Sequence, residues 1–238
     1  VDGVGGGEHW KTPSVGTTPR ESPLMQELCD DDDEPDVTLL RAVSMPGGEE
    51  LVQFCLEHGA CPDVVDMSEG LGPYGLTMST TVLAKASRDG RVGVVRLLLA
   101  HGAQVDLLPP GEVNGRTPLC YACEGRHANV VAVLLKAHAS LVVNLPTPRG
   151  VEISDVRMIP TATALHYAAS ADATTCIQLL LDARANPNTP GPPVPDDNYE
   201  SFYPPPLFIC AMRGHVDGVH LLMPKTDMNL SRVYLIEP

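Results

Sequence analysis

The feature that most constrains the fold of this chain is a small helical hairpin that recurs along the sequence. The clearest copy spans residues 114–144, NGRTPLCYACEGRHANVVAVLLKAHASLVVN. Thr117 can cap a first helix, and Pro118 suits the first turn of that helix. A second apolar run follows at helical spacing from Val130 to Leu135. Because two helices this short cannot close a core of their own, the hairpin predicts a stack of similar units.

Four further segments repeat the hairpin around an anchor leucine. With the anchor of the clearest copy, the anchors are Leu39, Leu83, Leu119, Leu165 and Leu207. A small residue follows three positions later in every copy, namely Ala42, Ala86, Ala122, Ala168 and Cys210. The anchors are separated by 44, 36, 46 and 42 residues, so the connecting segments vary in length. The pattern predicts units near residues 36–66, 79–106, 114–144, 161–188 and 203–229.

This pattern resembles the ankyrin repeat family, whose motif T-P-L-H-x-A-A-x-x-G-H is followed by V-V-x-L-L-L-x-x-G-A-x-x-N/D. Residues 81–106 and 117–139 match that motif most closely, and His166 and His215 occupy family histidine positions. The family repeats about every 33 residues, so the additions here lengthen the loops between units. The resemblance implies an all-α ankyrin-repeat solenoid over residues 36–230, with its histidines hydrogen-bonded in the turn scaffold.

The flanking and connecting segments differ in composition from the units. Residues 1–35 are rich in Gly, Pro, Ser and Thr and include the acidic run Asp30–Glu34, which predicts a disordered acidic tail. The insertion at 145–161 contains apolar residues and predicts either packing on the array or a short hairpin. The insertion at 189–206 is rich in proline and predicts an extended loop. Residues 231–238 are a docked end or the start of further sequence, and the first residue, Val rather than Met, favours a piece of a longer protein.

Charge and cysteine content narrow the possible partners and compartments. A formal net charge of −14 argues against nucleic acid and against anionic membrane surfaces as partners. No apolar run approaches the length of a membrane span, so membrane insertion is not expected. Seven cysteines at irregular spacing indicate a reducing, intracellular compartment, and we expect a cytoplasmic protein, with the nucleus as the alternative.

The sequence contains only weak motifs for metal binding or catalysis. Cys120, Cys123 and His127 resemble part of a metal site, but zinc needs four converging ligands and no second ligand pair follows at zinc spacing. The sequence also lacks the motifs that bring a nucleophile to a base or cradle a phosphate. We therefore expect no metal, no cofactor, no small-molecule substrate and no enzymatic activity.

The resemblance implies that a partner protein docks on an inner wall formed by the first helices and the connecting fingers. The candidate contact residues on the helices are Arg88, Asp89, Tyr121, Glu124, Tyr167, Ser170, Met212 and Arg213. The candidates on the proline-rich insertion are Tyr199, Phe202 and Tyr203. An ordinary solvated helix face is the alternative for the first set, and packing against the fifth unit is the alternative for the second.

Two functions fit this sequence. The first is a non-catalytic protein–protein interaction module, used for scaffolding or targeting, whose acidic balance predicts a partner with a basic contact face. The alternative is the recognition region of a larger multidomain enzyme or adaptor, such as a ubiquitin-ligase component, a kinase or a channel. Surface positions would distinguish partners, because the scaffold positions are shared among repeats.

Overall fold

The fold is an array of short helical hairpins. The computed structural model describes residues 35–67, 79–108, 116–137, 143–144, 152–153, 157–158, 162–189 and 205–227. Within these residues the first helices of the hairpins are α1 (Pro35–Ala42), α3 (Val82–Arg88), α5 (Pro118–Glu124), α7 (Ala164–Ser170) and α9 (Pro206–Arg213). The second helices are α2 (Glu49–Glu57), α4 (Val92–Ala100), α6 (Ala128–Lys136), α8 (Thr174–Asp182) and α10 (Val216–Leu222).

The hairpins stack in single file and form two rows of helices. In the inner row, α3 packs on α5, α5 on α7, and α7 on α9. In the outer row, α2, α4, α6, α8 and α10 pack in the same order. The apolar side chains at the centre of the stack are fully buried, among them Leu98, Leu134, Leu165 and Leu180, at 0% exposure. Each such leucine contributes about 1.5–3 kcal/mol of burial free energy, which a lone hairpin could not obtain.

Short strand pairs lie between some of the hairpins. β1 (Val65–Asp66) pairs antiparallel with β2 (Thr80–Thr81), directly before α3. β3 (Glu152–Ile153) pairs antiparallel with β4 (Arg157–Met158). For the insertion at 145–161 the sequence left open a choice between packing and a hairpin, and the structure has the antiparallel ladder of a hairpin. The other described residues are mostly helical, with turns and irregular connections between the helices, which confirms the predicted helical solenoid.

Side-chain caps begin the inner helices. The Thr81 side chain accepts a hydrogen bond from the Ala84 amide at 3.1 Å, and the Thr117 side chain accepts one from the Cys120 amide at 3.3 Å. At α7 the backbone amide of Thr163 donates to His166 Nδ1 at 3.1 Å, which completes a reciprocal cap. The expected scaffold role of this histidine is therefore confirmed.

Asp and Asn side chains tie successive units together at the ends of the outer helices. Asp63 Oδ1 accepts from the Gln104 amide at 2.8 Å, and Asp63 Oδ2 accepts from the Gln104 side chain at 2.9 Å. The same role recurs farther along, where the amide of Asn186 donates to Asn144 at 2.7 Å. The amide of Asp227 likewise donates to Asn188 Oδ1 at 2.7 Å. These bonds fix how far one hairpin is displaced along its neighbour.

The first and last described helices mark the ends of the described array. The first helix begins at Pro35, one residue inside the predicted tail, and the rest of that tail lies outside the described residues. The last outer helix stops at Leu222 and continues as a 3-10 turn over Met223–Lys225, because Pro224 cannot continue an α-helix. No helix in the described ranges combines the length and apolar character needed to cross a membrane.

Replacing Asp63 with Ala should lower the free energy of unfolding by about 1 kcal/mol, because the Gln104 amide loses its acceptor. Asp63→Asn is the matched control, since Asn144 shows that an amide oxygen serves the same role in this chain. Urea unfolding followed by circular dichroism measures both variants. Equal losses for Ala and Asn would contradict a role for the inter-unit hydrogen bond.

The turns inside the hairpins predict a second effect on stability. Arg126 has φ 60°, where the second and fifth hairpins place Gly90 and Gly214 at φ 71° and 74°. Since left-handed backbone costs a side-chain-bearing residue about 1–2 kcal/mol, Arg126→Gly should raise the free energy of unfolding. Gly214→Ala should lower it, and no atom lies within 4 Å of the added methyl, so the loss isolates backbone strain. Thermal unfolding that moves both variants in the same direction would refute this account.

Candidate interaction surface on the inner helices

The inner helices present two aligned rows of side chains. Two residues after each anchor leucine, α3, α5, α7 and α9 carry Lys85, Tyr121, Tyr167 and Ile209. Five residues after the anchor they carry Arg88, Glu124, Ser170 and Met212. The first row is largely buried, with Tyr121 and Tyr167 at 7% and 1% exposure. The second row reaches solvent. The inner wall therefore has a buried layer of side chains beneath an edge that varies in chemistry.

The predicted contact residues on the helices divide by exposure into a solvent-accessible group and a buried group. Asp89, Glu124, Met212 and Arg213 are exposed, and Arg88 and Ser170 are half-buried. Tyr121 and Tyr167 lie beneath this surface and support it. The other three candidates, Tyr199, Phe202 and Tyr203, lie outside the described residues.

Arg116 organises the centre of the inner wall, and our sequence analysis did not single it out. Its guanidinium carbon lies 5.6 Å from the centre of the Tyr121 ring and 4.8 Å from that of Tyr167. Its Nη1 donates to Glu124 on the solvent side, so one arginine joins two tyrosines and an acid. Arg88 approaches the same Tyr121 ring, at 5.9 Å. Contacts of this kind contribute about 0.5–2 kcal/mol each.

Burial and neighbouring charge shift the pKa of Arg116 in opposite directions. Its side chain is only 12% exposed, and its Nε finds no acceptor among the described residues. Burial lowers the pKa of the guanidinium, but Tyr167 and Glu124 outweigh that effect and the pKa is raised overall. Arg116 is therefore a fixed positive charge. The only feature of the sequence that points to Arg116 is its position directly before the Thr117-Pro118 cap. Helix periodicity gives no prediction there, because the residue precedes the helix.

Two histidines fix the turns that bound the inner wall. His127 Nε2 donates to the carbonyl oxygen of Arg88, one unit earlier, at 3.0 Å. His215 Nδ1 donates in the same way to the Ala169 carbonyl at 2.9 Å. A Cβ at Gly90 would lie 2.5 Å from the His127 ring, so this turn needs glycine for space as well as for its positive φ. The scaffold role expected for His215 is confirmed, and His127 shares it.

A buried ion pair attaches the first strand pair to the inner wall. Lys85 Nζ lies 2.5 Å from Asp66 Oδ2, and the Asp66 side chain is 4% exposed. Asp66 is on β1, so the connecting segment is held against α3. Lys85 is consequently engaged with an acid of its own chain.

The residues considered for a metal site have other contacts. The Thr117 hydroxyl donates to Cys120 Sγ at 3.2 Å, and His127 is occupied with the Arg88 carbonyl. Cys123 is fully buried, and Cys176 of the next unit lies close enough to raise its pKa further. In the described part of the chain, no group of three or more His, Cys, Asp or Glu is arranged to hold a metal ion.

The described cysteines are free thiols, and five of the six are buried. Burial raises the pKa of Cys120 to about 11, with the Thr117 hydrogen bond opposing the shift. Burial also raises the pKa of Cys123 well above its usual value. Because the thiolate is the reactive form, neither is suited to act as a nucleophile near neutral pH.

Comparison with known proteins identifies the class. The family model described as "Ankyrin repeats (3 copies)" matches residues 39–147 and 112–191, which together cover more than half of the chain. The chain belongs to the ankyrin repeat family. The hairpin α9–α10 lies beyond the matched residues, yet it packs on α7 and α8 as a further unit. Arrays of this family are generally modules for protein–protein interaction.

Curated relatives share the array within longer proteins. The chain is similar to "Putative E3 ubiquitin-protein ligase XBAT31" of Arabidopsis thaliana, with 30% identity over 61% of this chain and 29% of that protein. It is also similar to "Potassium channel AKT3" of Oryza sativa subsp. japonica, with 37% identity over 32% of this chain and 9% of that protein. "Ankyrin repeat protein nuc-2" of Neurospora crassa is 27% identical over 58% of this chain and 11% of its own length. The chain thus spans less than a third of each relative.

The thiol environments predict a selective labelling pattern. In the native protein at pH 8, Cys61 should react with iodoacetamide within minutes, since it is exposed. Cys120 should react only as fast as the protein unfolds, because it is 1% exposed and has a raised pKa. Peptide mapping by mass spectrometry gives both rates, with a sample in urea as the control for full reactivity. Rapid native labelling of Cys120 would show that α5 opens readily.

Proposed function

We propose that this chain is a non-catalytic module that binds a partner protein through the inner wall and the connecting fingers. The observation that carries the proposal is the two-row construction of the inner wall. The edge formed by Arg88, Glu124 and Met212 reaches solvent, varies in chemistry, and lies above a largely buried row that includes Tyr121 and Tyr167. Such an edge can offer different side chains to a partner without any change in the scaffold.

The contact set we propose keeps both groups of candidate residues. On the helices it consists of Arg88, Asp89, Glu124, Ser170, Met212 and Arg213, with Tyr121 and Tyr167 as the supporting layer. Met212 is 52% exposed, which favours a contact role since a large apolar side chain gains free energy when it is covered. On the connecting segment, Tyr199, Phe202 and Tyr203 remain proposed from the sequence, since aromatic side chains are typical interface anchors.

The charge of the chain supports a partner with a basic region. Residues 1–34 alone carry nine acidic side chains and two basic ones. The insertion at 189–206 adds three acids and no base. These segments would steer a basic surface toward the array in a manner that weakens with salt. We place the protein in the cytoplasm, a compartment that the free thiols of the described residues also favour.

Affinity capture with the full chain as bait tests this proposal. Arg88→Glu combined with Arg213→Glu should remove the specific partners, because both residues lie on the inner wall. Arg96→Glu is the matched control, since Arg96 is exposed on the outer helix α4 and undergoes the same charge change. Quantitative mass spectrometry compares the recovered proteins for each bait.

Partners lost from the double variant and kept by Arg96→Glu support the inner wall. Equal recovery by all baits would show that binding uses another face. The absence of any reproducible partner at low and moderate salt would reject the binding function itself.

A second function is favoured by the relatives. XBAT31 and AKT3 carry the matched region as a minor part of a longer protein, which supports a recognition region inside a larger enzyme, channel or adaptor. Sequencing the complete transcript tests this directly. A catalytic or channel-forming segment continuous with this chain would establish it, and an open reading frame that contains repeats alone would exclude it.

A further inference from the structure

The inner and outer helices differ in the sign of their charge. The inner helices α1, α3, α5, α7 and α9 carry four basic residues, Arg41, Lys85, Arg88 and Arg213, against the two acids Asp36 and Glu124. The outer helices carry five acids, Glu49, Glu50, Glu57, Asp182 and Asp217, against Arg96 and Lys136. The inner helices therefore carry two more basic than acidic residues, within a chain of net charge −14.

Two arginines come together at one point of the inner wall. Arg88 and Arg116 lie 5.9 and 5.6 Å from the centre of the same Tyr121 ring, so the two guanidiniums flank one residue. The nearby acids are Asp89, 3.6 Å from Arg88, and Glu124, which accepts from Arg116. Since a guanidinium has five N–H donors, it can serve a second carboxylate while it keeps the first.

The scaffold fixes the backbone that carries Arg88, and it fixes the guanidinium of Arg116, before any partner arrives. The Arg88 carbonyl accepts a hydrogen bond from His127, which fixes the end of α3 relative to α5. The Arg116 guanidinium is fixed by Glu124 and by two buried tyrosine rings. Side chains ordered in advance lose less entropy on binding, so contacts made here contribute more to affinity than contacts to mobile surface arginines.

Arg213 supplies a second basic point on the same wall. It lies at the end of α9, three helices along the inner row from α3, and its Nη1 donates to the Ser170 carbonyl at 3.4 Å. With neighbouring helices about 8–10 Å apart, Arg88 and Arg213 are separated by roughly 24–30 Å. An extended segment of about seven to nine residues spans that distance.

We infer that the inner wall recognises an acidic, extended segment of its partner protein. One carboxylate binds at Arg88 and Arg116 beside Tyr121, and a second acidic residue about seven to nine positions away binds at Arg213. This inference rests on the proposed binding function and specifies its chemistry. The partner then has an acidic segment that binds the inner wall and a basic region that is attracted to the acidic residues of segments 1–34 and 189–206.

A defined peptide library tests this inference without knowledge of the partner. The full chain is immobilised, and phage displaying random linear 12-residue peptides are selected on it. We expect the enriched peptides to share Asp or Glu at two positions seven to nine residues apart. The best synthetic peptide is then titrated by fluorescence anisotropy against the native chain and its variants.

Arg88→Gln should weaken binding of that peptide about tenfold, and Arg88→Lys should weaken it partly, because lysine keeps the charge and loses the planar fork. Replacing the peptide acid that contacts this site with its amide should give a similar loss. The two losses should not add when combined, as expected of groups in direct contact. Arg96→Gln on the outer face is the matched control and should leave the Kd within twofold, and circular dichroism checks that each variant is folded.

The outcomes separate this inference from the function on which it rests. The inference would be overturned if basic or apolar peptides were enriched, or if substitution of Arg88 and of Arg213 left the Kd of an acidic peptide unchanged. Either result would leave the protein-binding function intact. If no peptide is enriched and affinity capture also recovers no partner, the binding function fails together with the inference.

Discussion

The structure depends on one constraint, which is that no helical hairpin among the described residues can bury its apolar side chains by itself. The inner helices α3, α5 and α7 have seven residues each, about two turns, and helices of that length are not stable alone in water. Leu119 and Leu165 reach complete or nearly complete burial only because the neighbouring units cover them. Stability is therefore distributed between neighbours, and the interfaces between hairpins matter as much as the hairpins.

Burial alone would allow the hairpins to slide past one another, since apolar contacts have little directional preference. Polar contacts remove that freedom in this array. Asp63 and Asn144 each accept from the backbone of the next unit, and His127 donates back to the unit before it. Because the turns are fixed in this way, the side chains that follow them on the inner wall keep constant positions relative to one another.

The overall charge of the chain is a poor guide to the chemistry of the proposed binding surface. A net charge of −14 predicts a basic partner, yet the inner helices carry more basic than acidic residues, Arg88 and Arg213 among them. Long-range steering responds to the total charge, whereas docking responds to the few groups within contact distance. The proposed partner accordingly has a basic region for long-range steering and an acidic segment for direct contact.

The sequence by itself determined the stacked helical units, their anchors and caps, and the histidine in the α7 cap, because these features depend on residues close together in the chain. Thr117, Pro118 and His166 act within one turn of helix, so their spacing is sufficient. Tertiary structure alone decided that Tyr121 and Tyr167 are buried and that Arg116 lies between them. That cluster joins residues from separate units, and linear spacing carries no information about the direction in which a long side chain extends across such a boundary.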